Sequence, residues 1–174
     1  LFKEMTVLDN IKLGRHIHLK SGPMSGMLYW GKSSREEQEL EEFLDNEILT
    51  FFNLSSIKYS IVSTLPYGQQ KRVDLARALA CKPEFLILDE PVAGMNREES
   101  RDMIDHVLQI KKAWNLTVFL IEHDMEVVMN ISDWIAVMNF GEKMAEGTIE
   151  EVQKNPEVIR IYLGHAGSKP KEEK

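Results

Sequence analysis

Apolar and polar positions along this chain switch between helical and extended spacing, and each change of period marks an element. Residues 1–33 are weakly periodic; within them 6–11 predict a short capped helix, and Ser21-Gly22-Pro23-Met24-Ser25-Gly26 a loop. Ser34-x-x-Glu37 has the form of a capping box. Leu40, Phe43, Leu44, Ile48, Phe51 and Phe52 then recur at helical spacing opposite an acidic face. Residues 53–64 read as a polar connection, and 69–80 as a second helix that Pro83 stops. Phe85-Leu86-Ile87-Leu88 reads as a strand buried on both faces, ending abruptly in Asp89-Glu90. Asn96 caps a predicted helix over 97–114, with Met103, Val107, Ile110 and Trp114 on its inner face. A second buried strand, 117–121, runs into Glu122-His123, and Asp124 caps a short helix over 125–131. Residues 134–138 and 143–145 read as strands joined by a turn at Asn139-Phe140-Gly141-Glu142. Thr148-x-x-Glu151 is another capping box, Asn155-Pro156 opens a last helix ending near Gly164, and the charged residues 168–174 are expected to be disordered. Strands alternating with helices in this way predict an α/β fold with a largely parallel sheet.

The chain's 174 residues suit one domain with a subdomain, and a chain of this size buries roughly 70% of its unfolded surface. Its net charge of −7 argues against general nucleic-acid binding. Cys81 is the single cysteine, so there is no disulfide framework and a reducing compartment is expected; the thiol itself reads as buried and inert. No apolar run approaches the ~20 residues that span a bilayer. Leu1-Phe2-Lys3-Glu4 is no signal peptide, and the absence of an initiator Met leads us to expect a piece of a longer protein. Met24, Met27, Leu28, Tyr29 and Trp30 form an apolar patch that reads either as internal packing or as a docking surface for a partner helix.

Three features carry candidate chemistry. Ligands of open α/β sheets gather beyond the carboxyl ends of the strands. There Asp89 can hold Mg²⁺ through its water shell, while Glu90, one residue on, polarises an attacking water. Leu65-Pro66-Tyr67-Gly68-Gln69 lies at a helix N-terminus, where free N–H groups and the dipole favour an anion; Gly68 would let the backbone come close to a phosphate. His123, beyond the second strand, reads as a structural histidine, as a donor to phosphate or as the holder of a closing loop.

In their order and spacing these features resemble the ATPase subunits of ABC transporters. Leu65-Pro66-Tyr67-Gly68-Gln69 resembles the family's signature motif and residues 85–90 its Walker B strand with the catalytic Glu; Ala93-Gly94-Met95-Asn96 resembles the D-loop, and His123 the switch histidine. The Leu-Pro-Tyr-Gly form, Tyr29-Trp30-Gly31-Lys32, Ile121-Glu122-His123-Asp124-Met125 and the stretch from Ala145 to Gly164 resemble the branched-chain amino acid importer type. Asn96 stands where many members carry the D-loop Asp. No Gly-x-x-x-x-Gly-Lys-Ser/Thr occurs, and Gly31-Lys32-Ser33 lacks the strand and second Gly of a P-loop. Leu1-Phe2-Lys3-Glu4-Met5-Thr6-Val7 resembles the segment after the Q-loop Gln.

The resemblance implies a P-loop NTPase-like, mostly parallel sheet, incomplete here, with a helical subdomain. Residues 1–33 would follow the Q-loop, 34–80 form the helical subdomain, 81–147 the catalytic core, 148–164 a helical extension and 165–174 a tail. It further implies ATP and Mg²⁺, with Glu90 and His123 catalytic, Asp89 on the metal, and Leu65, Pro66, Tyr67, Gly68, Gln69 and Asn96 at nucleotide held by a second ATPase subunit. Transmembrane permease subunits would be the other partners, placing the protein in the cytoplasm, peripheral on the inner face of the plasma membrane. The expected cargo is a branched-chain or other hydrophobic amino acid, and the piece alone is expected to be inactive. Two other readings remain: a soluble ABC-type ATPase acting on ribosomes or DNA, and a non-catalytic dimerising module. The acidic charge speaks for the transporter, and Asp89, Glu90 and His123 speak for catalysis.

Overall fold

The computed structural model describes residues 1–15 and 32–163. The expected loop at 21–26, the Met/aromatic patch, the side chains of the Ser34-x-x-Glu37 box and the charged tail lie outside the described residues. The chain forms two compact units. Leu1–Ile87 and Pro91–Phe119 make the first; Leu88–Glu90 and the described residues from Leu120 onward make the second.

The first unit opens with α1 (Val7–Arg15), whose Asp9 N–H is capped by Thr6 Oγ1 at 3.1 Å. Helix α2 (Lys32–Phe43) passes into a π-helical turn, Leu44–Leu49, instead of continuing as one α-helix. Leu44, Ile48 and Phe52, on the expected apolar face, are fully buried. The connection at 53–64 is less polar than expected: it forms two 3-10 turns, Ser55–Ile57 and Val62–Thr64, and buries Leu54 and Val62. Lys58 Nζ reaches both Asp45 oxygens at 2.9 Å, and that hydrogen bond raises the ammonium's pKa above its ordinary value. Helix α3 (Tyr67–Ala80) starts two residues earlier than the sequence suggested and packs along α1. Asn10, buried and charge-free, accepts the Phe2 N–H at 2.8 Å and donates to Phe2 O at 2.9 Å, so it fixes the entering backbone. Helix α4 (Arg97–Ala113) buries Met103, Ile104, Val107 and Ile110, and its His106 ring stacks on Phe52 at 5.3 Å.

Strands β1 (Phe85–Asp89) and β2 (Thr117–Ile121) are paired, and the division between the units passes through both. Thr117 N–H donates to Glu84 O at 3.3 Å and Glu90 N–H to Ile121 O at 2.9 Å, so both strands advance in the same direction. The expectation that they are buried on both faces fails. Phe85, Ile87, Phe119 and Ile121 are 53%, 62%, 53% and 47% exposed, while Leu86 is buried. Only the alternate side chains find a cover, because successive residues of a strand face opposite ways and the described residues pack on one face.

In the second unit, α5 (Met125–Ile131) is capped by Asp124, and β3 (Ile135–Asn139) pairs antiparallel with β4 (Glu142–Gly147). Phe140 and Gly141 make the two-residue turn with φ of 47° and 83°, the doubly positive conformation that matches strand twist. Ile135 and Val137 pack on Val152 of α6 (Ile149–Lys154) and Val158 of α7 (Pro156–Val158). A π-helical turn, Ile159–Leu163, ends the described chain. Among the described residues no helix is long and apolar enough to cross a membrane.

Candidate functional site

The candidate residues fall into two groups, one in each unit. In the second unit β1 ends at Asp89, and Glu90 turns out of the strand with φ of 45°. A residue other than glycine in this left-handed region costs about 1–2 kcal/mol, and the Glu90 N–H bond to Ile121 O holds it there. The turn carries the Glu90 side chain to His123, whose Nδ1 stands 3.1 Å from Glu90 Oε1. A carboxylate oxygen accepts, so in the tautomer that carries its proton on Nδ1 the ring donates to Glu90. The two strand ends thus bring together the two residues expected to be catalytic. Both side chains are at least half exposed, open to a ligand.

Glu122 is a site neighbour that the sequence reading passed over. Its side chain is almost completely buried, and its carboxylate accepts the His123 N–H at 3.2 Å. The signal was present as an acid directly before the histidine, yet a strand-end acid reads as a solvated one.

Asp89 is exposed at the strand end. Among the described residues no group of three or more His, Cys, Asp or Glu gathers into a metal cluster. A magnesium ion keeps most of its water and takes phosphate oxygens, so a single accessible carboxylate fits its needs.

In the first unit the tip of α3 holds the second group. Pro66 stands at the N-cap and supplies no side-chain acceptor, so it leaves the first N–H groups of α3 without the cap that an N-cap side chain gives. This contrasts with α4 and α5, whose first turns are closed by Asn96 and Asp124. Gln70, not singled out from the sequence, donates from Nε2 to Leu65 O at 2.8 Å and ties Leu65 to the first turn. Tyr67 is exposed, with Lys71 Nζ 5.7 Å from its ring centroid. Gly68 is buried, and the side where a Cβ would stand is occupied by Glu99. Gln69 is half-buried in the first turn. Asn96 Oδ1 accepts from Glu98 N and Glu99 N, both at 3.0 Å, so its side chain is committed to capping α4.

Residues 1–93 match the family model described as ABC transporter, and 142–168 match that of the branched-chain amino acid ATP-binding cassette transporter. The high-affinity branched-chain amino acid transport ATP-binding protein BraF of Pseudomonas aeruginosa is 41% identical over 166 residues, which are 95% of this chain and 65% of BraF. LivG of Escherichia coli, of the same description, is 40% identical over 168 residues with the same coverage. The crystal structure of MJ1267, an ATP-binding cassette of an ABC transporter in its ADP conformation, superposes with a TM-score of 0.72 and 36% identity, over 93% of this chain and 64% of that one. The chain spans 65% of the length of the first two relatives. With more than half of its residues matched by that family model, the chain belongs to the ABC transporter family.

Proposed function

We propose that this chain carries the water-activating and partner-facing parts of the ATPase subunit of an ABC importer for branched-chain amino acids. The contact between Glu90 and His123 is the observation that carries the reading. Glu90 accepts the proton of the attacking water, and the His123 Nδ1–H keeps the carboxylate turned toward the site. Asp89 would hold Mg²⁺, which when bound neutralises charge on the phosphate oxygens. The uncapped N–H groups at Tyr67, Gly68 and Gln69 meet the γ-phosphate of ATP held by a second subunit, with Leu65 and Pro66 shaping the approach. Asn96 fixes the loop that lies between Glu90 and α4. Catalysis is then mainly positioning and charge stabilisation, completed when two subunits close on ATP.

In this reading the subunit sits on the cytoplasmic face of the membrane beside its permease subunits. The greater length of the relatives and the uncovered apolar side chains Phe85, Ile87 and Phe119 support a further segment of the subunit packing there. The test is ATP turnover of the chain alone and of the chain joined to the part of BraF that it does not match. The joined protein is expected to hydrolyse ATP and the 174-residue chain is not. Turnover by the chain alone at single-enzyme rates, or none by a joined protein that binds ATP, contradicts the proposal.

A further inference from the structure

Where the tip of α3 approaches the start of α4, both in the first unit, the Glu99 carboxylate has two tasks. Its Oε2 accepts the Asn96 N–H at 3.1 Å and completes a capping box. Its Oε1 lies against Gly68: a Cβ built there would stand 2.6 Å from Oε1 and 2.9 Å from Cδ. The loop leading into Asn96 is seated on the same helix tip, since a Cβ on Gly94 would meet Tyr67 Cε1 at 3.3 Å.

A capping box needs only the reciprocal bonds between its first and fourth residues. Neither of those bonds calls for a glycine at position 68, so the second contact has another meaning. A methyl at position 68 would have to displace Glu99 Oε1 and Cδ, the end of a flexible side chain whose Oε2 holds the Asn96 N–H. The carboxylate therefore stands between two segments that are far apart in sequence.

We propose that Glu99 is a positioning residue that spaces the tip of α3 from the 91–96 loop, so that a displacement of Tyr67-Gly68-Gln69 is passed to Asn96. The proposal rests on the reading of that tip as the place where a nucleotide phosphate is met. On that reading, engagement of the tip is transmitted to the loop that follows Glu90 in the chain.

The experiment is amide hydrogen exchange, read by NMR on the 174-residue chain without nucleotide. Its reporter is the Glu98 amide, held by Asn96 Oδ1 at 3.0 Å. Gly68→Ala drives a methyl into Glu99 and is expected to accelerate exchange at Glu98 by about 10-fold, with the amides of β3 and β4 unchanged. In a Glu99→Ala background the added methyl has room, and Gly68→Ala is expected to change the rate by less than about two-fold. Glu99→Gln keeps length and acceptor and is expected to restore the full response. The proposal is overturned if Gly68→Ala acts equally with and without the Glu99 side chain, if Glu99→Gln behaves like Glu99→Ala, or if protection falls uniformly along the chain. Because no nucleotide is present, failure here leaves the ATPase reading standing, and failure of that reading leaves this coupling measurable.

Discussion

Replacing Glu90 by glutamine in the joined subunit is expected to slow ATP hydrolysis by about 10²-fold or more while ATP binding stays largely intact. Glutamine is nearly isosteric, and its amide oxygen can still accept from His123 Nδ1 where the wild-type contact is 3.1 Å. It also occupies the same left-handed backbone position at no greater cost than Glu90 does with its φ of 45°. What it loses is basicity. A positioned general base contributes roughly 10²–10⁴-fold, or about 3–5 kcal/mol of barrier, and the change removes that term alone. Single-turnover hydrolysis beside equilibrium ATP binding separates the two effects. Unchanged turnover in the variant would falsify the assignment of Glu90 as the base.

Gly14→Ala is expected to destabilise the chain by about 2 kcal/mol, although alanine is the better helix former. At an unobstructed position inside α1 the change would stabilise by about 1 kcal/mol. Here a Cβ would run into the backbone carbonyl of Arg77 on α3 and would stand 3.2 Å from Arg77 Cγ. The same crossing carries the Cys81 Sγ–H donating to Gly14 O at 2.8 Å, so Cys81 is a half-buried partner in the helix contact. A backbone oxygen cannot swing aside as a side chain would, and the helices must part; overpacking of this kind costs about 1–3 kcal/mol, occasionally more. Urea unfolding reads the shift as a lower midpoint at unchanged slope. A raised midpoint would mean that the two helices do not approach as closely as described.

Elements whose signals are local were legible. The Asn96 cap of α4, the Asp124 cap of α5 and the Thr148 box of α6 appear as expected, because each is a bond between residues three apart or fewer. The two strand ends were legible too, since apolar runs that stop in charge leave little choice of boundary. What joins distant segments was not. Nothing in the sequence aims Glu99 at Gly68 or turns the missing side chain of Gly14 toward Arg77, for such approaches arise only when helices cross. The uncovered faces of β1 and β2 were likewise illegible: an apolar run states that a strand is fit to be covered, not which segment covers it. Gly68 shows the same limit: nothing in the sequence says that a carboxylate from α4 occupies the side where its Cβ would stand.

Mixed dimers of the joined subunit, separated from dimers of identical subunits, decide whether ATP is processed between two copies. One mixture pairs a Glu90→Gln subunit with a Gln69→Glu subunit, the second change placing a negative charge at the α3 tip where a phosphate is to be met; the other pairs a doubly changed subunit with an unchanged one. If Glu90 of one copy works with the α3 tip of the other, the first mixture keeps one intact site and hydrolyses ATP, whereas the second has a defect in both sites and does not. Activity in the second mixture and none in the first would place the base and the helix tip in the same subunit's site and contradict the proposed function.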